Sequence, residues 1–518
     1  MFLRHDDKAK SCRNPFIKEN KLKIQSNMLR KIRICLQVVM MTLVTLLLLG
    51  IGFRVHLWAG WVAKIQFLPA LLALNLIPVI LLHFWLTYTF GRIYCSVICP
   101  LGIMQDFFSW LGGKAKKNRF SYAKENKVLR YGFLGVFALA LIIGFAPVTT
   151  LFEPYSAYSR IVNSLFKPLY DLLNNWLASM DAANDRYNFT EVQIWMRSVT
   201  TFVVAILTLL ILAFLAWRKG RLYCNTICPV GTTLGFISRI PGFGFRVRFD
   251  KDKCKSCGMC EKNCKAQAID FKEGKIDYSR CVVCGDCLDK CKFDALHYTA
   301  KKTAKETKPV DTERRAFLVG AAVAGTSAAL AQTQMKVDGG LAVIEDKVAP
   351  KRETPLTPPG SISAKHMQRH CTACQLCVSS CPNNVLRPST DLMHFMQPMM
   401  SFERGYCRPE CTRCSEVCPA GAIKPITREE KTTIHVGHAV WVKENCVVLT
   451  DGVTCGNCAR HCPTGAIQMI DYEGPNGTVQ VPAIDENKCI GCGACENLCP
   501  ARPFSAIYVE GNEMHHIG

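Results

Sequence analysis

Twenty-four of the thirty cysteines in this 518-residue chain fall into six groups of four. Four groups follow C-x2-C-x2-C-x3-C: Cys254/Cys257/Cys260/Cys264, Cys281/Cys284/Cys287/Cys291, Cys371/Cys374/Cys377/Cys381 and Cys489/Cys492/Cys495/Cys499. Two are variants. Cys407, Cys411, Cys414 and Cys418 open with a three-residue gap, and Cys446, Cys455, Cys458 and Cys462 place eight residues between the first two ligands. Three closely spaced thiolates curl around one cubane [4Fe-4S] cluster, and the fourth, often before proline, reaches across to a partner cluster. Such groups work in pairs. On that rule Cys254, Cys257 and Cys260 share a cluster with Cys291, while Cys281, Cys284 and Cys287 share one with Cys264. Structural zinc usually joins two separated C-x2-C pairs into one tetrahedron, and disulfide frameworks belong to short secreted domains. About six cubane clusters are therefore expected, one per group.

A second pattern is an internal repeat. Residues 91–102 (GRIYCSVICPLG) and 220–231 (GRLYCNTICPVG) agree at eight of twelve positions. Parallel repeats tend to hold functional sites at their interface, so Cys95, Cys99, Cys224 and Cys228 are expected to face one another at the cytoplasmic surface. Four thiolates suit a soft or iron–sulfur centre. The alternative is a helix-start packing motif with buried thiols.

The elements that must position these groups are apolar. The chain is 49% hydrophobic with 20% charged residues, too greasy for an ordinary soluble protein. Four runs, 34–55, 67–90, 128–150 and 199–217, are long enough to cross a bilayer. A net charge of +22 would fit nucleic acid, but the basic residues crowd 4–33, 114–127 and 218–248, the positive-inside pattern. No basic stripe with interleaved aromatics stands apart from those flanks, which argues against nucleic acid. The N-terminus, the loop between spans two and three, and the chain after span four are thus expected in the cytoplasm, and 152–193 outside.

Arg314-Arg315-Ala-Phe-Leu, a small-residue apolar run over 317–330 and Ala329-Leu-Ala331 resemble a twin-arginine export signal. A domain that acquires clusters in the cytoplasm must cross already folded, and this is the address for that route. Glu313 before the arginine pair and Val319 after Phe-Leu depart from the usual pattern, and the signal is internal; uncleaved, it would be a short fifth span. The expected organisation is a basic arm (1–30), a four-helix membrane domain of two repeated hairpins (31–240), a cytoplasmic two-cluster ferredoxin domain (245–300), the signal (312–335), a linker (336–365) and an outer four-cluster domain (366–512). The fold class is multi-domain, a helical membrane bundle with α+β ferredoxin-like cluster domains.

At this point a family resemblance covers most of the chain. The two GR-x-YC-x3-CP-x-G repeats with the two-cluster ferredoxin behind them resemble NapH-type membrane polyferredoxins. Residues 312–510, notably Cys489-Ile-Gly-Cys-Gly-Ala-Cys-Glu-Asn-Leu-Cys-Pro, resemble NapG/MauM-type exported four-cluster ferredoxins. The resemblance implies a fusion of the two in the bacterial inner membrane, serving anaerobic respiration. Its electrons would run from quinol to a periplasmic reductase or cytochrome c partner. Which of the last four groups pair stays open between neighbours (371 with 407, 446 with 489) and nested (371 with 489, 407 with 446); analogy with other four-cluster subunits favours nested. A maturation factor delivering electrons for cofactor assembly, and a redox sensor, are the other function classes; no DNA-binding segment supports the latter.

Roughly 30 Å of hydrocarbon would separate the two cluster sets, and no Cys-x-x-Cys-His haem motif bridges them. Quinone, or a centre on the repeat cysteines, is the expected bridge. Ionisable groups inside or beside a span are functional suspects, which selects His83 and Glu153 as quinol-site residues. Cys35 reads as an apolar filler, Cys12 as part of the arm, and His370 and His461 either as neighbours that tune cluster potentials or as solvated surface residues.

Overall fold

The computed structural model describes residues 15–115, 120–184, 189–240, 244–300, 337–338, 342–343, 345–474 and 477–518. The start of the basic arm with Cys12, the twin-arginine stretch and part of the linker lie outside the described residues.

Helix α1 (Pro15–Leu49) runs unbroken because no glycine or proline interrupts it between Pro15 and Gly50, which turns the chain with φ +70°. The second hairpin closes on another continuous helix, Val199–Lys219. It opens on Ser198, whose hydroxyl accepts from Thr201 N–H, and stops at Gly220 with φ +63°, the ordinary cap chemistry. The other two expected spans are not single helices. The 67–90 run divides into Phe67–Leu72, an extended Ala73, a 3-10 turn and α2 (Ile77–Phe90); Pro78 supplies no N–H to continue the preceding turn. The 128–150 run divides into Lys127–Ile143 and Ala146–Phe152 around a left-handed Gly144 and Pro147. Two helices among the described residues are thus long and apolar enough to cross a membrane, Met28–Leu49 and Val199–Lys219.

These helices turn apolar side chains outward. Val38 (60% exposed), Leu81 (60%), Ile142 (78%) and Phe214 (64%) stand on four different helices, an unusual amount of bare hydrocarbon for a soluble surface. Inside, each CP motif starts a helix: α3 (Pro100–Lys114) after Cys99 and, later, Pro229–Arg239 after Cys228, both with proline in the first turn, where the missing N–H costs nothing. The halves are interlocked. Helix α3 of the first packs on Val199–Lys219 of the second, and Pro229–Arg239 packs on α2 of the first. Between them lies α4 (Pro154–Ile161), every residue of which is buried.

The cluster domains are small and sheet-poor. In the first, Arg246–Phe249 pairs antiparallel with Leu296–Thr299, and Ile269–Asp270 with Lys275–Ile276. In the second, Ile434–Trp441 pairs antiparallel with the terminal strand Ile507–Ile517, beside the hairpin Ile467–Gly474/Gly477–Ile484. The domains contact opposite ends of the apolar stretch Met28–Leu49 of α1. Arg30 pairs with Asp286 at 3.2 Å and Asp289 at 2.8 Å in the first. At the other end a Cβ on Gly50 would lie 2.8 Å from the Ser379 carbonyl in the second, and Lys167 Nζ caps the Leu49 carbonyl at 3.1 Å.

Candidate iron–sulfur sites

The regular cysteine groups share one backbone device. The second residue after the first cysteine takes a left-handed conformation (Ser256, Val283, Ala373, Gly491), and so does the fourth (Gly258, Gly285, Gln375, Gly493). This curls the loop so that its N–H groups point inward. Ser256 N donates to Cys254 Sγ at 3.3 Å and Ala373 N to Cys371 Sγ at 3.4 Å. The returning fourth cysteine accepts similarly: Ala268 N to Cys264 (3.4 Å), Ala295 N to Cys291 (3.3 Å), Ala466 N to Cys462 (3.2 Å) and Ala506 N to Cys499 (3.3 Å). The variant groups dispense with the device. The Cys407 group has no left-handed residue between its ligands, and the Cys446 group keeps one in its long first gap, Gly452, at another offset.

The cavities reveal which thiols meet. Cys254, Cys257, Cys260 and Cys291 line one, with Phe249, Phe271 and Phe293 around them. Cys264 lies against Cys281, Cys284 and Cys287. In the second domain, Cys446, Cys455 and Cys458 meet Cys499, Cys489, Cys492 and Cys495 meet Cys462, Cys407, Cys411 and Cys414 meet Cys381, and Cys371, Cys374 and Cys377 meet Cys418. Neighbouring groups therefore pair, and the nested expectation is wrong. The physical reason is local: a cysteine at the end of its short helix points back toward the group that follows or precedes it, and the short β-hairpin Leu386–Pro388/Pro398–Met400 returns the chain at once. Among the described residues no three of His, Cys, Asp or Glu close to the distance of a single shared ion. All-thiol cavities with inward N–H groups fit [4Fe-4S] clusters, which supply one-electron carriers when bound.

The sets lie in series. Cys407 N–H donates to the Cys492 carbonyl at 2.9 Å, joining the 407 set to the 489 set. The 371 set faces the helices. Ser156 and Ser159 of α4 donate to the carbonyls of Thr372 (2.5 Å) and Cys374 respectively. On the other side the 281 set faces the helices: Arg92 Nη1 donates to the Ser279 carbonyl at 2.9 Å, and a Cβ on Gly91 would touch Val283.

Cys95, Cys99, Cys224 and Cys228 come together, but inside the interlocked halves rather than at a surface; each is 3–4% exposed. Mutual electrostatic contacts link all four. The repeat explains itself here. Arg92 of the first copy donates to the Cys224 carbonyl of the second at 3.2 Å, and Arg221 of the second donates to the Cys95 carbonyl of the first. The glycine that closes each motif leaves room for this exchange, since a Cβ on Gly102 would lie 2.4 Å from the Cys95 carbonyl and one on Gly231 2.2 Å from that of Cys224. Arg92 Nη2 stands 3.6 Å from Cys95 Sγ, Gln105 Nε2 3.2 Å from Cys224 Sγ, and Gly231 N 3.4 Å from Cys228 Sγ.

Glu153 is buried beside this quartet, and His83 is buried against Tyr94, which lies within electrostatic reach of Cys99 and Cys95. The His83 ring lies 5.0 Å from that of Tyr94, and its Nε2 meets the Ile65 carbonyl at 2.9 Å. Glu153 caps α4 by accepting from Ser156 N–H, while its Oε1 is buried without a partner. It stands within electrostatic reach of Cys99, Tyr94, Tyr223 and Cys374. Cys35 is exposed on α1. His370 and His461 each turn Nδ1 to the carbonyl four residues back, at 3.0 and 2.9 Å, so their rings are tied to their own helices.

Comparison with known proteins agrees with this chemistry. A 4Fe-4S dicluster domain matches residues 453–502, spanning seven of the eight ligands of the last two groups, as neighbour pairing requires. One 4Fe-4S binding domain matches 71–119 and again 200–248, and another matches 246–269. The methylamine utilization ferredoxin-type protein MauM of Methylobacillus flagellatus is 32% identical over 165 residues, 31% of this chain and 70% of that one. The chain belongs to the MauM-type ferredoxin family. Within and around that family, the ferredoxin-type protein NapF of Escherichia coli K12 is 28% identical over 31% of the chain and 90% of its own length. The putative electron transport protein YccM of the same strain is 24% identical over 33% and 41%. No solved structure matches. The chain is thus a ferredoxin-type iron–sulfur protein of electron transfer.

Several residues of consequence gave no signal of their own in the sequence. Asp106, Gln105, Ser156 and Ser159 sit in ordinary helical contexts. Arg92 and Arg221 lay in plain sight within the repeat, where their invariance between the two copies was the available clue.

Proposed function

We propose that the protein conducts electrons across the bacterial inner membrane, from the quinol pool to a periplasmic reductase of the nitrate-reductase type. The observation that carries this reading is the seating of the two cluster domains at the two ends of the apolar stretch of α1, one on Arg30 and the other on Gly50. Between those ends Met28–Leu49 is long enough to cross hydrocarbon, about 32 Å at 1.5 Å per residue. The outward apolar side chains support a lipid setting, and the mostly unburied faces of both long helices speak against a soluble core. The relatives' names, ferredoxin-type proteins and an electron transport protein, support the carrier role.

In this reading the thiols of six groups hold six [4Fe-4S] clusters, two on the cytoplasmic side and four on the periplasmic side. Glu153 and His83 receive the protons of quinol, each presenting a buried atom with no partner, Glu153 Oε1 and His83 Nδ1. Electron paramagnetic resonance on vesicles of known orientation tests it. Menaquinol or ubiquinol should reduce clusters of the chain, and protease applied to the periplasmic face should remove four of them. Loss of those four from the cytoplasmic face would overturn the topology. Glu153→Gln should slow quinol-dependent reduction at least tenfold with cluster content intact, as expected for removal of a general base; unchanged kinetics would remove Glu153 from the role.

A further inference from the structure

We propose that Cys95, Cys99, Cys224 and Cys228 together hold one further iron–sulfur centre, shared between the two repeat halves, which relays electrons between the 281 set and the 371 set. Each half contributes two thiols. Neither half can build the site alone, because each arginine that frames it crosses to the other copy.

The decisive observation is charge. Arg92 is fully buried, and among the described residues it has no carboxylate partner; its guanidinium meets the Asn225 side chain (2.7 Å), two backbone carbonyls and Cys95 Sγ. A buried cation without a counter-charge is costly. Four thiolates around an iron–sulfur core carry the missing negative charge at that point, whereas four neutral thiols packed as apolar filler do not. The donors to sulfur from Arg92, Gln105 and Gly231 follow the same logic, since N–H groups aimed at sulfur stabilise its anionic form. The thiols are not disulfide-bonded and do not close to single-ion distance, which favours a polynuclear centre over zinc. The family match to a 4Fe-4S binding domain falls on two windows, 71–119 and 200–248, whose only cysteines are these four.

Position gives the centre its task. Arg92 joins the quartet to Ser279, two residues before Cys281. Glu153 stands between Cys99 and Cys374, and α4 carries the contact onward through Ser156 and Ser159. One electron is taken from the set on one side and handed to the set on the other, leaving the centre as it began; donor and acceptor are both held by this chain. The relay role rests on the electron-transfer reading, while the existence of the centre does not.

The test uses the full chain purified in lipid nanodiscs. Cys99→Ser/Cys228→Ser should lose the iron and sulfide of one cluster and one paramagnetic signal, with every other signal retained. Iron and all signals unchanged would overturn the proposal. Should that variant fail to accumulate, Gln105→Leu decides: it should keep full iron but shift the midpoint of one signal to lower potential, and no shift would overturn the proposal. Both readouts are independent of quinol. Iron loss in a chain that quinol does not reduce would therefore sink only the functional reading, and quinol reduction with no iron loss only this one.

Discussion

The two repeat halves begin from nearly the same twelve residues and solve the burial of their arginines differently. In the second half Arg221 meets Asp106 through Nε and Nη2, both at 2.8 Å. Asp106 also takes Lys265 (3.2 Å), Arg33 (3.3 Å) and Gln37 (2.9 Å). Burial pushes the Asp106 carboxyl up, but Arg221, Lys265 and Arg33 outweigh it and hold the group well below the usual carboxylate range. Arg92 of the first half has no such partner: the position in the second half equivalent to Asp106 is Gly235, and the space its missing side chain leaves is filled by a second guanidinium, that of Arg130; a Cβ there would lie 2.1 Å from Arg130 Nη2. Two buried arginines thus converge on the Ser279 carbonyl, with Glu125 paired to Arg130 alone. Repetition built the cage, and divergence at one position left Arg221 paired directly with a carboxylate and Arg92 without one. Both arginines lie toward the 281 set, Arg92 through the Ser279 carbonyl and Arg221 through Asp106 and Lys265, which pairs with Asp286.

The largest effect expected from breaking this asymmetry is at Asp106. Asp106→Asn leaves Arg221 and Lys265 buried against a neutral amide, and loss of one partner of a buried ion network costs about 3–5 kcal/mol; thermal unfolding in nanodiscs should register it as a sharply lowered midpoint. Gly235→Ala should cost less, about 1–3 kcal/mol for overpacking. Its signature is specific: Arg130 must withdraw from Ser279, so the signal of the 281 set should change while those of the four outer clusters stay. A wild-type spectrum would mean that Arg130 is not held there. Arg92→Gln and Arg221→Gln sharpen the comparison further. Removing the unpaired cation should lower the midpoint potential of the adjoining centre more than removing the paired one, as a redox titration of both variants would reveal; equal shifts would erase the proposed difference.

A pH-dependent effect lies in the outer domain. Burial, then the neighbouring charge of His516, pushes His515 down to about 4. Because the folded value lies below the ordinary 6.5, the unfolded chain takes up the proton first. The stability that His515 contributes is therefore complete above about pH 6.5 and is lost as the pH falls toward 4. His515→Asn should flatten the pH dependence of unfolding over that window relative to the parent chain; an unchanged slope would show that His515 does not contribute.

Sequence reasoning reached the cluster ligands because thiol spacing is local: the loop that wraps a cluster is a dozen residues long and its geometry is written in those residues. It reached the quartet for the same reason, by repetition. It missed the break at Gly144 and the division before Pro78, since hydropathy averages over a window and does not feel one residue of backbone. It misjudged the pairing of the last four groups because that choice depended on an analogy, whereas the short return from Cys381 to Cys407 already favoured neighbours. The Arg–Gly exchange between halves, and Asp106 with its three cations, join residues more than 70 positions apart and are visible only once the chain has folded.

The apolar stretch of α1 is fastened at both ends, by acids at Arg30 and by close backbone packing at Gly50. A helix so clamped cannot tilt on its own to suit the lipid around it, as an isolated span would. In the membrane reading the protein is therefore a rigid gauge: the bilayer must thin or thicken to fit it, and lipid composition becomes a factor in where along the membrane such a molecule resides.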